Sequence, residues 1–294
     1  MELQWPLILF TTFVAWSAGL FGAQGAAALA GEGKRAQLPA LVCSAALLAV
    51  GGIAVFFHLE HFERIFNGFG NPTSGITQEL VCVVVVAALM VAMFAMLRKA
   101  DGDADAPACP KWLAVLAIVA AAVLVLVTGH SYMMVARPAW DSLLGPLSLL
   151  GAAAAMGPLT FAVVEAVRGE AVGKCVALAA LAGSVANAVL AAAYLFAMEA
   201  AGDSYTDVGY YFDPIHPTAG MADVAALSPM AGESVAMVAV AVIAALVPII
   251  AAVLGRKSGN WKLWGAVGAA CAVVGAVALR MAFYSVGASV YLFY

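Results

Sequence analysis

Residues 56–80, FFHLEHFERIFNGFGNPTSGITQEL, hold two of the chain's four histidines, His58 and His61, together with Arg64 and the glutamates Glu60, Glu63 and Glu79. Histidine titrates near neutral pH, and a carboxyl group in a poorly solvated site can exchange a proton there too. Such a pair can take protons from a bound hydroxyl-bearing ligand. A quinol needs acceptors of this kind, because its oxidation releases two protons with two electrons. His58 and His61, at i and i+3, could instead face a metal from one helix surface. They lack the HExxH order of zinc peptidases, and no third ligand is evident.

The elements that must position these residues are almost purely apolar. The chain is 65% hydrophobic and only 10% charged, where a soluble domain carries about 25% charged residues. A bilayer-spanning helix needs roughly 20 mostly apolar residues. Eight such runs occur, at about 6–30, 38–58, 77–97, 112–135, 143–167, 175–199, 231–254 and 262–284. They are continuously apolar, whereas strands of a membrane barrel would alternate. The expected fold is an all-α integral membrane protein of eight transmembrane helices, one domain over residues 1–294. The start, MELQWPLILF, has no basic region and reads as a retained first helix. Nothing in this composition suggests a nucleic-acid partner.

Ten of the thirteen basic residues fall in loops on one side of such a fold, or at the helix ends beside them. The positive-inside rule makes that side cytoplasmic and both termini extracytoplasmic. All four histidines, His58, His61, His130 and His216, then lie toward the outer face. Glu79 begins the third helix there, and Arg280 lies near the outer end of the eighth. Glu79 and Arg280 lie at similar depth and could pair. Glu165, near the inner end of helix five, reads as an ordinary interfacial acid, and Asn187 as an interhelical hydrogen bonder.

Several cofactors fit poorly. The five cysteines, Cys43, Cys82, Cys109, Cys175 and Cys271, form no CxxC pair, which speaks against an iron–sulfur cluster in this chain. The centres of all eight runs lack histidine, which speaks against haem b. The same bare centres disfavour a transporter, since transporters place polar groups at the midplane.

The residues resemble those of the DmsC family, the membrane anchors of dimethyl sulfoxide reductase-like molybdenum enzymes. WPLILFT at 5–11, HLEHFERIFN at 58–67, SGITQEL at 74–80, YMMVARPAW at 132–140, Gly157–Pro158 and RMAFY at 280–284 follow the family's order. The resemblance implies a subunit that oxidises menaquinol to menaquinone near the extracytoplasmic face of a bacterial cytoplasmic membrane. It implies two partners: a four-cluster iron–sulfur subunit docked on that face, and a molybdenum bis-pterin catalytic subunit beyond it. Carried over by residue, His58 is the quinol-site histidine and Glu79 the quinol-site acid, the catalytic pair. In the mechanism this suggests, Arg64 and Arg280 tune those groups or pair with acids, and Tyr132 hydrogen-bonds the second quinol oxygen. The fold it implies is two four-helix bundles. The acidic, aromatic loop 201–229 is a candidate docking surface for the iron–sulfur partner. The alternatives are an eight-helix transporter and a passive anchor without a quinol site.

Overall fold

The computed structural model describes residues 3–59, 61, 67, 69–100, 109–205, 227–232 and 234–289. Eight long helices account for most of them: α1 (Trp5–Ala30), α2 (Gln37–Phe56), α3 (Gly75–Ala100), α4 (Lys111–His130), α5 (Leu144–Val167), α6 (Lys174–Ala200), α7 (Ser234–Ser258) and α8 (Trp261–Ser285). No strand occurs among the described residues. All eight helices are long and apolar enough to cross a membrane. Without water in the hydrocarbon, backbone groups must be satisfied within each segment, and continuous apolar runs meet that demand as helices.

Local chemistry sets the ends. Pro6 sits in the first turn of α1, where its missing N–H costs nothing. Gly31 ends α1 with a left-handed φ of 72°. Asn260 caps α8 by accepting from the Leu263 N–H at 3.3 Å. Arg98, Lys99, Arg256 and Lys257 occupy the last turns of α3 and α7, where cations complement the helix dipole.

Helices α1 and α5 are the most buried and cross each other at the centre. A Cβ on Gly157 would lie 2.1 Å from the Gly19 carbonyl, and one on Gly19 would lie 2.1 Å from the Ala153 oxygen. The two backbones touch there because neither position has a side chain. Around this crossing the packing repeats. Helix α1 packs on α2 and α4, and α3 on α4; likewise α5 packs on α6 and α8, and α7 on α8.

The turns after α1 and α5 repeat as well. Gly31–Glu32 and Gly169–Glu170 both place a left-handed glycine, at φ 72° and 75°, before a glutamate. The two glutamates then exchange targets. The Glu32 carboxylate accepts from the N–H groups of Cys175 at 3.0 Å and Val176 at 3.2 Å, at the start of α6. The Glu170 carboxylate accepts from Arg35 and Ala36, both at 3.1 Å, at the start of α2. Each hairpin therefore caps a helix of the other.

Two expectations need correction here. Helix α4 ends at His130, not near 135; residues 131–143 turn inward and strap the end of α8. Glu165, close to the end of α5, is not an ordinary surface acid but fully buried, 0% exposed, with one oxygen facing the Gly173 N–H at 3.4 Å and the other unpartnered. Asn187 is buried in α6, where its backbone lies against Gly151 of α5.

Candidate functional site

The antiparallel run of helices carries the C-terminal ends of α2, α4 and α8 and the start of α3 to one end of the molecule. A cavity of about 610 Å³ opens there, within the size range of small-molecule sites. Its apolar side comes from Leu7, Phe10 and Val14 of α1, Leu48 and Val55 of α2, and Leu80 and Val83 of α3. Its polar side comes from His58, Glu79, Ser131, Tyr132, Arg137 and Tyr284.

His58 is held by a turn that prolongs α2, with its N–H donating to the Val55 carbonyl at 3.0 Å. The side chain lines the cavity and stays exposed, so it sits at the rim. Glu79 lies deeper, at 7% exposure. Its position depends on Gly75, one turn earlier on the same face of α3. A Cβ at Gly75 would come within 2.7 Å of the Ser131 side chain. With no Cβ, α3 approaches the end of α4 closely, and Ser131 Oγ reaches Glu79 Oε1 at 2.5 Å. Ser131 Oγ also lies 3.0 Å from the Thr128 carbonyl. One hydroxyl hydrogen serves one of these acceptors at a time. Given to Glu79, it stabilises a carboxylate. Given to Thr128, it leaves Ser131 free to accept from a carboxylic acid. The site thus accommodates Glu79 in both protonation states.

Tyr132 follows at once, its ring edge-on to Phe283 at 6.2 Å. Burial pushes its hydroxyl well above the usual tyrosine range, with smaller contributions from Tyr284 and Glu79 in the same direction and an opposing one from Arg280. Tyr132 is therefore a neutral O–H donor at physiological pH. The buried Tyr284 side chain lies beside Tyr132, close enough for the two hydroxyls to interact.

The segment 131–143 is fastened to α8 by aromatics. Trp140 stacks on Phe283 at 4.3 Å, and its Nε1 donates to the Phe283 carbonyl at 2.8 Å. Arg137 lies 4.5 Å over the Trp140 ring and donates to the Gly287 carbonyl. Arg280 is 4% exposed and stands behind this wall, 5.3 Å from the Phe283 ring, acting electrostatically on Tyr132, Tyr194 and Tyr284. One of its guanidinium nitrogens has no hydrogen-bond partner.

Of the predicted site residues, the structure therefore brings together His58, Glu79 and Tyr132 around one cavity. Arg280 supports the wall without lining it, and the pair it could have made with Glu79 does not form: Glu79 bonds Ser131 instead. Helix α3 packs on α4 rather than on α8, so equal depth did not bring the two side chains together. Arg64 lies outside the described residues, as does most of loop 201–229. Ser131, Arg137 and Tyr284 are site residues that sequence reasoning missed. Ser131 adjoins His130 and Tyr132 in sequence, and Tyr284 belongs to the RMAFY segment, so both had a signal that went unused.

Eight helices long and apolar enough to cross a membrane, with a polar-and-apolar cavity at one end, define a multi-pass membrane protein. Residues 1–198 match the family described as DMSO reductase anchor subunit (DmsC), and the chain belongs to that family. It is thus a membrane anchor subunit of dimethyl sulfoxide reductase-like complexes. The match covers α1 to α5 and nearly all of α6, so α7 and α8, with Arg280 and Tyr284, lie beyond it. No curated protein matches the chain.

Proposed function

We propose that this anchor oxidises a lipid-soluble quinol, menaquinol in the family's usual chemistry, in the cavity between α1, α2, α3 and the 131–143 segment. The observation that carries the reading is the Glu79–Ser131 pair at 2.5 Å, lining one cavity with His58 and Tyr132 beside an apolar wall. In this reading the cavity end faces the extracytoplasmic side, both termini lie there, and the two sets of four helices form two bundles in a bacterial cytoplasmic membrane.

One quinol hydroxyl donates to His58 and the other to Glu79. Tyr132, a permanent donor, orients the oxygen nearest it. On oxidation the two hydroxyl protons pass to His58 and Glu79, and the two electrons pass to an iron–sulfur subunit docked on the same face, which feeds the molybdenum-pterin catalytic subunit. Glu79 changes protonation state without losing a hydrogen-bond partner, because Ser131 reverses its hydroxyl. His58, at the rim, returns its proton to the outer water. The buried Arg280 guanidinium, with one nitrogen unpartnered, supplies positive charge behind the aromatic wall that favours developing negative charge.

The test is electron transfer in membranes carrying His58→Ala, with quinol as donor and with a dye that reduces the partner subunits directly. The quinol rate falls by about 10²-fold and the dye rate holds. Survival of both rates would return the chain to a passive anchor.

A further inference from the structure

We infer that the apolar tail of the ligand leaves the cavity sideways into the bilayer between α2 and α3, through an opening kept clear by Gly52. The inference rests on the quinol reading and adds the tail's path to it.

Two adjacent glycines on α2 behave oppositely. A Cβ on Gly51 would meet Val14 at 3.1 Å and Phe13 at 3.3 Å, so Gly51 seats α2 against α1. A Cβ on Gly52 would meet nothing within 4 Å, yet Gly52 lines the cavity. It therefore borders open space. Helices α2 and α3 touch only sparsely. The lining residues that flank the seam, Phe56 at 43% and Ile76 at 61% exposure, also belong to the molecule's outer surface. The cavity thus reaches the surface along the ends of two membrane-crossing helices, from the first turn of α3 at Ile76 to one turn inside α2 at Gly52, on the side that faces the bilayer.

The lining along the seam is apolar over a useful length. Leu48, Gly52 and Val55 repeat at helical spacing on α2, a stretch of about 10 Å at 1.5 Å per residue. Leu80 and Val83 face the same space from α3. A ligand with only a polar ring gains nothing from such a slot, whereas an isoprenoid chain buries apolar surface along it. The corresponding seam between α6 and α7 is closed: Ala191, Leu195 and Met198 share a buried cluster with Val238 and Ala241. A lateral opening is therefore not a by-product of this helix arrangement.

The experiment uses the assembled complex in membranes with three donors: a long-tailed quinol, a tail-less quinol with the same ring, and the direct dye. Gly52→Phe fills the seam from α2, and Ile76→Trp fills it from the opposite lip. Ile53→Phe, at a 57% exposed neighbour, controls for added bulk on the lipid face. Both seam variants raise KM for the long-tailed quinol about tenfold, while KM for the tail-less quinol stays within about twofold. The dye rate and the Ile53→Phe variant stay at wild type. Equal loss with both quinols overturns the inference, because the ring site has then been disturbed. Unchanged KM for the long-tailed quinol in both variants also overturns it, and the seam then holds annular lipid. If the wild-type complex oxidises neither quinol while accepting electrons from the dye, the quinol reading itself fails and the seam loses its occupant.

Discussion

The first four helices and the last four share a packing scheme but differ in what they leave open. In both, the leading helix packs on the second and fourth and ends in a left-handed glycine followed by a glutamate. In the last four, α6 and α7 meet, and Tyr194, Phe283 and Tyr284 help fill the interior. In the first four, α2 and α3 stand apart, and the equivalent space is a cavity carrying His58 and Glu79. The proposed quinol site sits where the repeated packing is relaxed. The closed half contributes a rigid wall, through the Trp140–Phe283 stack and buried Arg280.

The largest effect is expected where the two halves meet. Gly157→Val would drive a Cβ into the Gly19 carbonyl, 2.1 Å away, and α1 and α5 would have to separate. Overpacking of this kind costs about 3 kcal/mol or more when the obstacle is backbone. Membranes expressing this variant should contain little assembled complex by immunoblot, and the dye-linked activity retained in the membrane should fall with it. Normal accumulation would mean the central crossing is not what unites the halves.

Next comes a comparison of two buried acids, one in each half. Glu79→Gln removes the proton acceptor beside Ser131 and should lower quinol kcat by about 10²-fold. Glu165 is also buried but lies at the other end of the molecule, beside Gly33 and Phe161. Glu165→Gln should leave quinol kcat within about twofold, as expected for a residue outside the site. Steady-state rates with one quinol decide it; equal losses would break the division of roles. A smaller loss, about tenfold, is expected for Tyr132→Phe, the cost of one oriented hydrogen bond. Because burial holds the Tyr132 hydroxyl far above neutral, it stays protonated in wild type and no titration is removed. The loss should be the same factor between roughly pH 6 and pH 9, so a shifted limb in the rate profile would argue against a pure donor role.

Much of this was legible before the structure. The eight helices follow from long apolar runs, and scarcity made His58 and Glu79 conspicuous. What the sequence withheld was azimuth and partnership. Depth placed Glu79 and Arg280 at one level, but not on facing helices. The apolar MMVA after Tyr132 extended α4 on paper, whereas Ser131, Tyr132 and Trp140 find better partners by turning inward. Ser131 is an ordinary residue in sequence, and only the close approach permitted by Gly75 makes it part of the site. Burial of Glu165 depends on the 31–36 turn, far away along the chain.

The smallest expected effect tests the repeat itself. Glu32 caps α6 and Glu170 caps α2, each with backbone N–H groups at 3.0–3.2 Å. A charged acceptor at a helix N-terminus contributes through both hydrogen bonds and dipole, and losing such a cap costs about 1 kcal/mol. Glu32→Gln and Glu170→Gln should each lower the thermal midpoint of the purified complex by a few degrees and leave quinol KM unchanged. Each glutamate sits on the turn that the other one's partners flank, so loss of one cap loosens the platform for the other. The double variant should therefore cost less than the sum of the singles, with a coupling of about 0.5 kcal/mol or more. Strict additivity would mean the two caps act independently and do not couple the halves to each other.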